Sequence, residues 1–111
     1  MNSMKKSKVL AEFSVFPIGQ KGTSVGKYVA AAIAAINQVK GLKYEVTAMG
    51  TVLEADNIET IFEAVKAAHE ALIDEGVQRV ESTLRIDDRR DKSRTMKDKV
   101  DVVKRYVKQL D

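Results

Sequence analysis

Two hydrophobic periodicities alternate along this chain, and their order restricts the possible fold more than any other feature. Apolar residues recur at every second position in some segments and at helical spacing in others. The strand-like segments are 9–16, 43–54 and 77–87, and the helical segments are 24–40, 58–73 and 96–110. The segment 43–54 divides into two short strands near Met49-Gly50-Thr51. The predicted order is therefore strand, helix, strand, strand, helix, strand and a final helix.

Two β-α-β units joined by a hairpin form the split arrangement of the ferredoxin-like fold. Right-handed crossovers place the first two helices on one face of a four-stranded antiparallel sheet. The sequence thus predicts an α+β ferredoxin-like βαββαβ sandwich with an additional C-terminal helix. No linker or repeat divides the chain, so we expect one ligand-binding domain over 8–111 after a flexible tail over 1–7.

The predicted sheet leaves its second face, here called the open face, without a helix. Its side chains are Glu12, Ser14, Phe16, Glu45, Thr47, Met49, Glu81, Thr83 and Arg85. Glu12 and Arg85 are predicted to form a cross-strand ion pair. Apolar groups beside hydroxyls and charges favour contact with a second copy of the chain, a ligand or both. We therefore expect a homo-oligomer, a dimer or a tetramer.

Composition excludes several classes of function. The chain has 111 residues, no cysteine and one histidine, so thiol catalysis and disulfides are impossible and no metal site is expected. Aromatic residues make up 5% of the chain and tryptophan is absent, which argues against a base-stacking platform and a nucleic-acid partner. No apolar run approaches the length of a membrane span, and the N-terminus lacks a signal-peptide pattern. We expect a cytoplasmic protein without a membrane partner.

The loop 16–25 connects the first strand to the first helix and holds the single proline and two of the six glycines. Gly19 and Gly22 permit positive φ and a close approach to a ligand. Thr23 or Ser24 is expected to place a hydroxyl at the helix N-cap. Such a loop either only caps the helix or also builds one wall of a small-molecule pocket.

An ordered set of short motifs spans most of the chain. These are Ser14-Val15-Phe16-Pro17-Ile18-Gly19, Gly22-Thr23-Ser24-Val25, Tyr28-Val29, Met49-Gly50-Thr51 with Glu54, His69-Glu70, Gly76, Arg79-Val80 and Ile86-Asp87-Asp88-Arg89-Arg90-Asp91-Lys92. In order and separation they resemble the thiamine-binding domain family of small ferredoxin-like proteins. Ala48 and Ala55 depart from it, where proline and glycine are usual.

The resemblance implies a non-enzymatic homo-oligomer, often a dimer of dimers with facing sheets, and no cofactor. It also implies that thiamine or its hydroxymethylpyrimidine moiety binds near a subunit contact. An aminopyrimidine needs a flat slot, an acceptor for its amino group and polar partners for its ring nitrogens. The candidate ligand-binding residues are Thr23, Ser24, Val25, Tyr28, Met49, Thr51 and Glu54.

Each candidate has an alternative role. Ser24 and Thr23 could only cap the helix, Tyr28 could pack in the core, and Met49 could fill a subunit interface. Glu54 could end a strand or pair with a lysine. The second helix is predicted to bury an apolar stripe that consists of Ile58, Ile61, Phe62, Val65, Ala68, His69, Leu72 and Ile73. His69 on this stripe is predicted to be a structural histidine with hydrogen-bond partners. The arginines at 85–94 alternate with aspartates, which predicts local ion pairs.

Three other functions are weighed against a binding protein. A structural or regulatory oligomer could act through protein contacts alone. A nucleic-acid module would need aromatic residues on the sheet that this chain lacks. An acylphosphatase-like enzyme shares the topology, but the loop 16–25 lacks the arginine that its chemistry would require.

Overall fold

Four strands form one antiparallel sheet in a computed structural model that describes residues 8–110. The elements are β1 (Val9–Pro17), α1 (Gly26–Ile36), β2 (Lys43–Val46), β3 (Thr51–Ala55), α2 (Ile58–Asp74), β4 (Val80–Asp88) and α3 (Met96–Leu110). The strand order is β2-β3-β1-β4. The ferredoxin-like prediction is confirmed. The tail predicted over 1–7 lies outside the described residues.

The hydrophobic core lies between the sheet and the pair α1 and α2. Strand alternation directs every second residue of β1 into it, from Val9 to Val15. Phe13 pairs with Thr51 on β3 and with Leu84 on β4, so all three side chains share this core face. The neighbouring positions on each strand face the opposite side of the sheet.

The buried stripe of α2 differs from the prediction. Its fully buried positions are Ile61, Ala64, Ala68 and Leu72. Phe62 and Ile73 were predicted to face the core but are 51% and 45% exposed. The two alanines are completely buried, so the centre of the buried stripe lies away from Phe62 and Ile73.

The start and end of α1 differ from the sequence prediction. α1 begins at Gly26 after Val25, which makes no side-chain capping hydrogen bond, so the prediction of a Thr23 or Ser24 cap was wrong. α1 also ends at Ile36, four residues before the predicted end. Asn57 caps α2, since its Oδ1 accepts from the backbone N–H of Thr60 at 2.8 Å.

α3 covers part of the sheet face that was predicted to be open. Leu10 and Glu54 point to that face, yet they are only 7% and 2% exposed. The Met96 N–H, at the start of α3, donates to Glu54 Oε1 at 2.9 Å. The expectation that no helix covers this face was therefore wrong at the end of the sheet where β1 begins. Across the described residues, no helix is long and apolar enough to span a membrane.

A reciprocal cap at the start of α3 leads to a pH prediction. The Asp98 N–H donates to Thr95 Oγ1, and the Thr95 N–H donates to Asp98 Oδ2, both at 3.0 Å. Hydrogen bonding of the Asp98 carboxylate to Thr95, by its backbone N–H first and its side chain second, lowers the pKa of Asp98 below its ordinary value of 3.8. The stabilisation is present above that value and is lost as pH falls through the lower pKa of the folded state.

We therefore expect the N-terminal turn of α3 to loosen below about pH 3.8. Helical circular dichroism should fall more between pH 5 and pH 3 in the natural protein than in an Asp98→Ala variant, which lacks the cap throughout. Equal losses in the two proteins would contradict this role for Asp98.

Candidate functional site

A gap in the sheet positions the candidate site. β3 begins at Thr51, opposite Phe13, so the second half of β1 has β4 on one side but no strand on the other. The turn 47–50, which joins β2 to β3, occupies that place. A β-carbon on Gly50 would lie 3.0 Å from the Phe13 carbonyl oxygen, so the close approach of this turn to β1 favours glycine.

A cavity of about 320 Å³, the α1 cavity, lies where this turn, β1 and α1 meet. Its lining is mostly apolar, with Val29 and Ile33 from α1 and Phe16 from β1 among the contributors. No Asp, Glu, His, Lys or Arg is among the lining residues. The cavity is therefore suited to a largely uncharged group.

Three hydroxyl groups belong to residues that line the α1 cavity. Thr47 Oγ1 donates to the Gly50 carbonyl at 2.7 Å and accepts from the Met49 N–H at 3.3 Å. The side chains of Ser14 and Thr51 make no hydrogen bond to any residue within 8–110. These two hydroxyls are the hydrogen-bonding side chains left available to a ligand.

The structure places only some of the predicted site residues from the loop 16–25 and α1 at the α1 cavity. Val25 lines the α1 cavity, whereas Thr23 and Ser24 are exposed and lie outside its lining. Tyr28 packs against the core and donates its hydroxyl to Gln20 Oε1 at 2.9 Å. Of these four residues, only Val25 meets the cavity.

Only some of the predicted site residues from the β2–β3 hairpin line the α1 cavity. Met49 and Thr51 line the α1 cavity, and Met49 is 83% exposed at its edge. Glu54 was expected near Thr51, but it lies on the opposite face of the sheet beneath α3. Residues three apart on a strand point to opposite faces, and this signal was already present in the sequence. Ala55 faces the core, so its β-carbon points away from Glu54.

Ser14 is the site residue that sequence reasoning missed. It lies on the open face, opposite to Thr51, and it meets the α1 cavity at the gap where β3 does not extend beside β1. The length difference between β1 and β3 is the signal that could have identified it.

A second, larger groove of about 760 Å³ runs between α3 and the open face. Its walls carry charged residues, including Glu12 and Arg85, whose side chains approach to 3.7 Å. The predicted cross-strand ion pair is thus confirmed. Lys99 of α3 also pairs with Asp87 of β4, which holds the helix across this groove.

The charged turn after β4 contains the predicted local ion pairs. Arg89 pairs with Asp91 through two hydrogen bonds of 2.6 and 2.9 Å, and Arg90 pairs with Asp88 through two of 2.8 Å. These hydrogen bonds lower the pKa of each aspartate. Much of the positive charge of this turn is therefore balanced within the turn itself.

His69 joins α2 to the sheet. Its Nδ1 lies 2.6 Å from Ser82 Oγ on β4, which agrees with the predicted structural role. Among residues 8–110, no three His, Asp or Glu side chains are grouped as a metal site would require.

Fold and cavity together describe a small ferredoxin-like protein with an apolar pocket beside its first helix. A known protein family, described as "Thiamine-binding protein", matches residues 11–104 of this chain. The chain belongs to that family.

The relatives span nearly the same length. A UPF0045 protein of Methanothermobacter thermautotrophicus is 48% identical over 99 residues, which are 89% of this chain and 99% of the relative. Among solved structures, protein MJ1052 of Methanocaldococcus jannaschii has a TM-score of 0.78 at 44% identity, covering 86% of this chain and 95% of that one. A Thermotoga maritima protein, provisionally assigned to thiamine biosynthesis or salvage, has a TM-score of 0.69 at 28% identity, covering 86% and 98%.

Proposed function

We propose that this protein binds thiamine or a related hydroxymethylpyrimidine in the α1 cavity and catalyses no reaction on it. The observation that carries the proposal is the pair of unpartnered hydroxyls, Ser14 and Thr51, in an otherwise apolar slot. Family membership and the Thermotoga maritima relative support the choice of ligand.

The chemistry of an aminopyrimidine suits this slot. A hydroxyl both donates and accepts, so Ser14 and Thr51 can meet an exocyclic amino group and a ring nitrogen. The volume of about 320 Å³ falls in the usual range for small-ligand pockets. Phe16 also lines the cavity and offers a ring face near which the thiazolium cation of intact thiamine would be favourable.

The absence of titratable groups from the lining favours binding without chemistry. General acid–base catalysis needs a positioned group that exchanges protons near the working pH. The residues lining the α1 cavity offer only hydroxyl, thioether and hydrocarbon side chains. Sequestration, carriage or sensing of the ligand fits this lining better than its conversion.

Removal of the two hydroxyls tests the site. We expect Ser14→Ala combined with Thr51→Val to weaken binding of thiamine and hydroxymethylpyrimidine by about tenfold or more, because the polar atoms of the ligand lose their partners. Titration calorimetry measures the affinity, and the thermal midpoint without ligand reports any loss of stability.

Ser24→Ala is the matched control, since it removes a hydroxyl of the predicted site that lies outside the α1 cavity. It should bind as the natural protein does. A loss of binding in Ser24→Ala with none in the double variant would move the site to the loop 16–25.

We also propose that a second copy of the chain closes the mouth of the α1 cavity. Phe16 and Met49 are 47% and 83% exposed there, and a facing sheet would bury them. Light scattering with and without ligand tests this closure. An assembled protein that shows neither heat nor thermal shift with either ligand would favour the structural or regulatory oligomer instead.

A further inference from the structure

The sheet has one long open edge. β4 is nine residues long and pairs with β1 along its whole length, and no strand within residues 8–110 pairs with its other side. The opposite edge strand, β2, has only four residues and begins with Lys43. Short length and lysine are common protections of an edge strand, whereas β4 contains neither lysine nor proline. β4 is therefore a ready template for another strand.

We propose that β4 pairs antiparallel with β4 of a second copy about a twofold axis through Thr83, which joins two sheets into one of eight strands. A twofold axis perpendicular to the sheet keeps the open faces of both copies on the same side. Residues that face each other across the axis must then point to the same side of the sheet, so the axis passes midway between one residue and its own copy. With the axis at Thr83, Glu81 lies directly opposite Arg85 of the second copy, and the same pair recurs on the other side of the axis. Opposite charges at facing positions stabilise an antiparallel pair.

Neighbouring axes are less favourable. An axis through Glu81 or through Arg85 places two identical charges directly opposite each other, which destabilises a strand pair. Thr83 places its own uncharged side chain at that position.

The axes one residue from Thr83 also create repulsion. An axis through Ser82 brings Arg79 opposite Arg85 of the second copy. An axis through Leu84 brings Glu81 opposite Asp87. Among the axes from Glu81 to Ile86, only those through Thr83 and Ile86 pair opposite charges and no like ones within β4. The Thr83 axis pairs seven residues of each copy of β4, whereas the Ile86 axis pairs five, so the Thr83 axis is favoured.

The side of α2 that lies nearest β4 also favours a second copy of the chain as the partner at this edge. The contact between His69 and Ser82 shows that this flank of α2 faces β4. Phe62 and Ile73 are seven and four residues from His69, so they share the flank, and both are about half exposed. These are the two residues whose exposure contradicted the predicted core stripe.

The proposed axis would cover this flank. Strands in a sheet are about 4.8 Å apart, and α2 packs over β1 and β4, so the two copies of α2 would lie antiparallel and about 10 Å apart. That separation is the usual one for packed helices. Phe62 would then approach Ile73 of the second copy. This interface leaves the α1 cavity free and does not depend on ligand binding.

Charge exchange tests the register. Glu81→Arg and Arg85→Glu each replace two opposite-charge pairs across the axis by two like-charge pairs, and each should weaken self-association by about tenfold. Glu81→Arg is the cleaner test, because Arg85→Glu also removes the ion pair with Glu12 of its own chain. The double variant Glu81→Arg/Arg85→Glu restores opposite charges and should associate within about threefold of the natural protein. Glu63→Arg, the same charge change on an exposed position of α2, should have little effect. Sedimentation velocity over a dilution series measures the association.

A single cysteine tests the axis itself, because the chain contains none. Facing Cα atoms in an antiparallel pair are about 4.5–5.5 Å apart, within the range of a disulfide. Thr83→Cys should form a covalent dimer under mild oxidation, and Lys43→Cys on the other edge should not. Equal cross-linking of the two, or association unchanged by all the charge variants, would overturn the proposal, whatever the outcome of the ligand titrations.

Discussion

Ile61→Ala is expected to lower the free energy of unfolding by about 3 kcal/mol, whereas Phe62→Ala should cost only about 1 kcal/mol. Ile61 is completely buried between α2 and the sheet, and truncation leaves a cavity that its neighbours cannot fully close. The Phe62 side chain is half exposed, so its removal returns little apolar area to water.

Urea unfolding followed by circular dichroism measures both values. It should be performed at low protein concentration, so that association does not contribute to the apparent stability. A larger loss for Phe62 than for Ile61 at that concentration would mean that the stripe predicted from the sequence, rather than the observed one, faces the core.

Glu54→Ala is expected to lower the free energy of unfolding by about 2 kcal/mol and to loosen α3. The change leaves the Met96 N–H without its acceptor in a part-buried position and opens a small void beneath the helix. Glu54→Gln keeps an acceptor oxygen at the same place and should cost less than half as much. Protease cleavage within 96–110 reports the loosening of α3 directly.

The same pair of variants separates the two faces of the sheet. Glu54 lies on the face opposite Thr51, so neither variant should change the affinity for thiamine measured under conditions where the protein is folded. If Glu54→Gln abolished binding while leaving α3 resistant to protease, the carboxylate would belong to the ligand site after all.

The proposed site and the proposed edge interface use different parts of one sheet. The α1 cavity exists because β3 is shorter than β1, which leaves Ser14 without a neighbouring strand. The edge interface depends on β4 matching β1 along its entire length while nothing covers its outer side. The short β3 thus leaves a pocket beside β1, and the full-length β4 leaves a long unpaired edge.

Much of the fold was predictable because it depends on local patterns. Alternation along β1 and β4 and helical spacing in α2 each act within a few residues. The site was less predictable, because a pocket depends on which segments meet. Val25, Met49 and Thr51 line the α1 cavity. Glu54, expected near Thr51, lies on the opposite face of the sheet, and Ser14 was not among the predicted residues.

By itself, the amino-acid order determined the succession of elements, the ferredoxin-like topology and the inward face of each strand, since periodicity and chain connectivity decide these. Only the tertiary structure decided that α3 folds back over Leu10 and Glu54, and that Ser14 and Thr51 line one cavity. Those outcomes depend on where α3 packs against the sheet and where the pairing between β1 and β3 stops. They are set by packing between residues far apart in the chain, which no local pattern encodes.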